Sequence, residues 1–124
     1  MKLGAVYVPL NWRLTVPELT FILTDCSPKV LIHEDIFADA GEALRTACHI
    51  NYLLETNGAG ENSSFELAIA RARPLAQSAE LTHDDLWVIM YTSGTTGHPK
   101  GAQITYGMTF WNVCNLTPPH RMHA

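Results

Sequence analysis

The chain has 124 residues, with 8 Lys and Arg against 12 Asp and Glu, a formal net charge of −4 and 47% hydrophobic residues. That is the size and composition of one globular domain at most. A net-negative chain without a basic run lacks the field that phosphate-backbone binding needs, so nucleic acid is excluded as a partner. No apolar stretch approaches the ~18 residues of a membrane span and none is flanked like a signal peptide, so neither membrane insertion nor secretion is expected.

Cys26, Cys48 and Cys114 show no C-x-x-C spacing. A disulfide framework is therefore not expected, a cytoplasmic location is, and each thiol reads as a small buried hydrophobe. Of the histidines only His120 and His123 approach metal-ligand spacing, in a Pro-rich stretch where nothing would hold their geometry. No metal site is expected there.

In chain order, Ala5 to Pro9 reads as a short strand ended by its proline, which cannot donate to a following ladder bond. Thr15-Val16-Pro17-Glu18 is a helix start, with Thr15 as cap and Glu18 three residues after it. Leu19, Ile22 and Leu23 then form one apolar stripe, and Ser27-Pro28 ends the helix. Val30-Leu31-Ile32 is an uninterrupted apolar run, the pattern of a strand covered on both faces. A helix is predicted over Ala38 to Cys48, a strand over Asn51 to Leu54, a loop over Glu55 to Ser64 and a short helix over Phe65 to Arg73. A polar connection from Leu75 to Asp85 leads into Leu86 to Tyr91, the longest apolar run. Alternating strand and helix signals imply βαβ units, and hence an α/β fold with a largely parallel sheet and flanking helices.

After that run comes Thr92-Ser93-Gly94-Thr95-Thr96-Gly97-His98-Pro99-Lys100-Gly101, ten residues with four hydroxyls, three glycines and one lysine. No core needs such a composition. Ligands of open α/β sheets bind beyond the carboxyl ends of strands, where this segment begins. Glycines let backbone amides approach a polyanion, hydroxyls donate to phosphate oxygens, and Lys100 adds a mobile point charge. Together they describe a triphosphate cradle. It is not the P-loop of NTPases: counted from Gly94, Pro99 stands where the second glycine is required, and Gly101 where a hydroxyl should follow the lysine.

The segment Tyr91 to Gly101 resembles the signature phosphate-binding loop of the AMP-forming adenylating enzymes, the superfamily of acyl-CoA synthetases, luciferase and peptide-synthetase adenylation domains. Leu3-Gly4-Ala5-Val6-Tyr7-Val8-Pro9-Leu10-Asn11, with Arg13-Leu14 and Glu18-Leu19, is similar to the segment upstream of that loop in acyl-CoA ligases. Peptide-synthetase domains usually carry Asp-Pro where this chain has Asn11-Trp12, which favours the ligase branch.

The resemblance implies ATP-dependent activation of a carboxylic acid, fatty acids foremost, through acyl-AMP to acyl-CoA. ATP, Mg²⁺ and coenzyme A come with it as co-substrates and ion. Thr92, Ser93, Gly94, Thr95, Thr96, Gly97 and Lys100 would be the nucleotide contacts, and none is a nucleophile or general base. Residues 1–124 would be a partial AMP-binding domain, without the family's C-terminal domain, and inactive in isolation. The alternative is a catalytically inactive paralogue that binds nucleotide or associates through uncovered sheet edges. One departure is local: acyl-CoA ligases commonly have Thr-His soon after the loop, where this chain has Thr105-Tyr106. Thr105 is expected to cap a helix over Tyr106 to Asn115, and Trp12, Trp87 and Trp111 to be packing residues.

Overall fold

The computed structural model describes residues 2–57, 62–92 and 97–116. Two compact units are present, one formed by Asn11–Pro74 and the other by Met1–Leu10 with Leu75–Ala124.

In the Asn11–Pro74 unit, helix α1 spans Val16–Cys26. Its start follows from Thr15 and Glu18: the Glu18 carboxylate accepts from the Thr15 amide at 2.7 Å and from Thr15 Oγ1 at 2.6 Å. The Thr15 side chain and amide hold the Glu18 pKa below the usual glutamate value. The helix stops at Ser27, which adopts φ 46° and returns its amide to the Leu23 carbonyl at 2.9 Å, ahead of Pro28. Strand β1 (Val30–Glu34), helix α2 (Ala38–Ala47) and strand β2 (Tyr52–Thr56) follow, with a single 3-10 turn at Asp35–Phe37 between the first two.

β1 and β2 pair in parallel, Val30 opposite Tyr52 and Glu34 opposite Thr56, so the predicted βαβ unit is present. Helix α3, Ser64–Arg71, completes the unit. Its cap is Ser63, buried, whose Oγ accepts from the Glu66 amide at 3.2 Å. The Ser-x-x-Glu spacing of residues 63 to 66 is a capping-box signal that places the start one residue earlier than expected.

The buried apolar side chains of this unit are Leu19, Ile22 and Leu23 of α1, Leu31 of β1, Leu44 of α2 and Ile50. The stripe read from the sequence is thus the core face of α1. The expectation for β1 is corrected: only Leu31 is buried, while Val30 and Ile32 stand 44% and 51% exposed. Successive side chains of a strand point to opposite faces, and no described element of the unit covers the second one. The cysteine expectation is corrected too, because Cys26 and Cys48 are only half-buried and Cys114 is exposed.

The second unit is built on a hairpin. Strand β3, Leu86–Thr92, runs antiparallel to strand β4, Lys100–Thr105, with an irregularity between Leu86 and Val88. Tyr7 joins β3 in parallel, donating to the Trp87 carbonyl at 2.9 Å and accepting from the Ile89 amide at 3.0 Å. The predicted strand from Ala5 to Pro9 is reduced to that one bridge. Helix α4 spans Tyr106–Leu116.

β4 was not expected. Lys100-Gly101-Ala102-Gln103 carries no apolar alternation and reads as the tail of the loop, yet the chain folds back because β3 offers it a row of backbone partners. The fold remains α/β, with a parallel pair, an antiparallel hairpin and flanking helices.

Candidate functional site

β3 delivers the polar loop and β4 leads away from it. Thr92 and Lys100 are directly opposed as the last cross-strand pair of the hairpin, so its seven intervening residues, 93 to 99, form the connection. Of the residues singled out as nucleotide contacts, Thr92, Gly97 and Lys100 are described, and Ser93, Gly94, Thr95 and Thr96 lie outside the described residues. Thr92 and Lys100 are both exposed at the mouth of the hairpin. Lys100 makes no ion pair among the described residues, which leaves its charge available to a ligand.

Gly97 adopts φ +88°, and among the described residues beyond its chain neighbours no heavy atom lies within 4 Å of where a Cβ would be. The position is reserved for glycine by backbone conformation rather than by crowding. The connection returns as strand β4 before the helix at Tyr106, an element the sequence pattern did not separate from the loop.

The opposite end of the hairpin has a different job. The Asp85 carboxylate accepts from the Thr82 amide at 2.6 Å and Thr82 Oγ1 at 3.0 Å, contacts that hold its pKa below the usual aspartate value, the backbone one foremost. The Asp85 carbonyl accepts from the Tyr106 amide at 3.0 Å. Thr105 Oγ1 accepts from the Met108 amide at 3.2 Å, so Thr105 is a helix cap, as its sequence context predicts. At ~3.4 Å per residue, five steps of β4 put Thr105 about 17 Å from Lys100. Thr105→Ala is accordingly expected to cost about 1 kcal/mol of stability, read by thermal melting, without changing nucleotide affinity.

Of the tryptophans, Trp87 packs as expected, its ring stacked 6.1 Å from that of Tyr106. Trp12 and Trp111 are corrected: they are 63% and 59% exposed. Arg13 lies 4.6 Å over the Trp12 ring, which satisfies the cation locally.

The Asn11–Pro74 unit contains a cavity of about 410 Å³ lined by His33, Asp39, Glu42, Glu55 and Ser64, none of which the sequence pattern distinguished. Three carboxylates make it a poor receptor for a triphosphate, because like charges repel. Glu42 also pairs with Arg45, which lowers the carboxyl pKa and raises that of the guanidinium.

A family model described as AMP-binding enzyme matches residues 1–123. The chain is 35% identical over 125 residues to an indoleacetate–CoA ligase of Aromatoleum aromaticum, covering 99% of this chain and 24% of that protein. It is 42% identical over 105 residues to a long-chain-fatty-acid–CoA ligase of Mycobacterium tuberculosis, covering 85% of this chain and 20% of that protein. The structure of ATP-bound MatB from Rhodopseudomonas palustris superimposes with a TM-score of 0.73 at 32% identity, covering 90% of this chain and 22% of that one. This chain therefore spans about a quarter or less of the length of these relatives. The α/β fold and the loop signature agree with the match along nearly its full length: the chain belongs to the AMP-binding enzyme family, the AMP-forming adenylating enzymes that include the acyl-CoA ligases.

Proposed function

We propose that this chain supplies the ATP-phosphate-binding loop of a ligase that activates a carboxylic acid as acyl-AMP and transfers the acyl group to coenzyme A. The observation that carries the reading is the hairpin itself, which sets Thr92 and Lys100 opposite each other at the two ends of a Gly/Ser/Thr-rich connection in a member of the AMP-binding family. In the first step a carboxylate oxygen attacks the α-phosphorus of ATP, the bond to the bridging oxygen breaks, and pyrophosphate departs. In the second the coenzyme A thiol attacks the acyl carbon and AMP leaves.

This chain's residues act on the departing pyrophosphate. Hydroxyls of Thr92, Ser93, Thr95 and Thr96 donate to its oxygens, Gly94 and Gly97 let the backbone approach, and Lys100 balances charge. Mg²⁺ accompanies the triphosphate as its counterion; among the described residues no cluster of three His, Cys, Asp or Glu side chains is placed to hold a metal. Residues 1–124 act as part of an adenylate-forming domain, and three cysteines without a pairing pattern suit a cytoplasmic location. Among the described residues no helix is long and apolar enough to cross a membrane.

The two relatives named above act on an indole acid and on long-chain fatty acids, so a fatty acid is the first acyl substrate to test rather than a conclusion. Carboxylate-dependent exchange of labelled pyrophosphate into ATP, run with fatty, aryl and indole acids, is expected to proceed with at least one. Absence of exchange with every acid, together with intact ATP binding, would instead favour a nucleotide-binding or docking module. That second reading is supported by apolar side chains left exposed, among them Val30 and Ile32 on β1 and Phe110, Trp111 and Val113 on α4.

A further inference from the structure

We propose that Gly101 is a positioning residue for the phosphate loop, holding Thr92 and Lys100 in register through the close passage of Ile89 and Tyr91 across its bare Cα. The inference rests on the phosphate-loop reading above. Gly101 lies in β4 directly opposite Tyr91, and the next pair outward is Thr92 with Lys100, where the loop begins. Glycine in a strand interior weakens it, so its presence there needs a cause. The cause differs from that at Gly97. Gly101 has no positive φ, and what it lacks is room: a Cβ there would lie 2.8 Å from Ile89 Cγ2 and 3.2 Å from Tyr91 Cζ.

The closer neighbour cannot simply swing away: Ile89 is β-branched and stiff at χ1, whereas the Tyr91 ring, at 3.2 Å, need tilt only slightly. Ile89, Tyr91 and the missing Cβ share one face of the hairpin, since residues two apart along a strand point the same way. A methyl group at position 101 therefore parts the strands at the Tyr91–Gly101 pair, and the adjoining Thr92–Lys100 pair moves with them. Misplacement of about 1 Å, even from a change far from the reacting atoms, can cost as much as ~100-fold in rate.

The test is calorimetric titration of MgATP into the protein carrying this chain, as wild type, Gly101→Ala, Gly101→Ala with Ile89→Ala, and Val88→Ala, alongside thermal melting of each. Gly101→Ala is expected to weaken ATP binding about tenfold or more, the scale of one lost hydrogen bond to a charged group. Adding Ile89→Ala removes the closest obstacle and leaves only a small tilt of the Tyr91 ring to be absorbed. The double variant should regain most of the affinity while melting lower, a split that general destabilisation does not produce. Val88→Ala, which empties part of the unit's buried core on the other face, should lower the melting temperature without a comparable loss of affinity. Should Gly101→Ala fail to fold, the double variant decides: folded and ATP-binding supports the register role, unfolded overturns it. Wild-type affinity in Gly101→Ala, or a double variant no better than the single, overturns the proposal while leaving the phosphate-loop reading intact. No ATP binding by the wild type overturns both.

Discussion

Replacing Lys100 with Ala should weaken ATP binding roughly thirtyfold, about 2 kcal/mol, the scale of one hydrogen bond to a charged group. Lys100 is exposed at the hairpin mouth opposite Thr92, and among the described residues it is tied to no carboxylate. A triphosphate therefore meets a cation that need not be released from another partner first. The loss should appear in ATP affinity and in pyrophosphate exchange, but not in thermal stability, because an exposed side chain at a strand end supports little packing. Lys100→Arg keeps the charge and should recover part of the binding, less than all of it, since a planar fork does not reproduce a compact ammonium. Unchanged ATP affinity in Lys100→Ala would remove the lysine from the site.

The largest effect on stability is expected in the other unit. Ile22, only 1% exposed on the core face of α1, should cost about 3 to 4 kcal/mol when truncated to Ala, through lost burial and the cavity left behind. Domains of ordinary size are stable by about 5–15 kcal/mol, so one such change consumes a large share of the total. Ile36→Ala, at a position 74% exposed, should by contrast stay within about 0.5 kcal/mol. Urea denaturation of both variants measures the contrast, and similar midpoints would show that the stripe on α1 is not the core.

Ile22 is recognisable from the sequence because helical periodicity depends only on spacing: Leu19, Ile22 and Leu23 fall on one face whatever else the chain does. The caps at Thr15 and Thr105 were legible for the same reason, a side chain acting on amides two or three residues away. The phosphate loop was legible by composition, since hydroxyls, glycines and a lysine in that density have no use in a core. Strand β4 was not, and neither was the half-exposed state of β1. A strand is defined by a partner distant in sequence, and burial of its second face depends on what else is present to cover it.

Gly97 and Gly101 show the division most clearly. Both are glycines of the loop signature, Gly97 read there as a nucleotide contact and Gly101 not. Only the folded chain gives the physical cause at each, φ +88° at the first and side chains of β3 lying where the Cβ of the second would be. Local chemistry, meaning stripe, caps and loop composition, is written residue by residue and needs no fold to be read. Register, strand pairing and crowding arise between residues far apart in the chain, and they take a value only once backbone hydrogen bonding has brought β3 and β4 together.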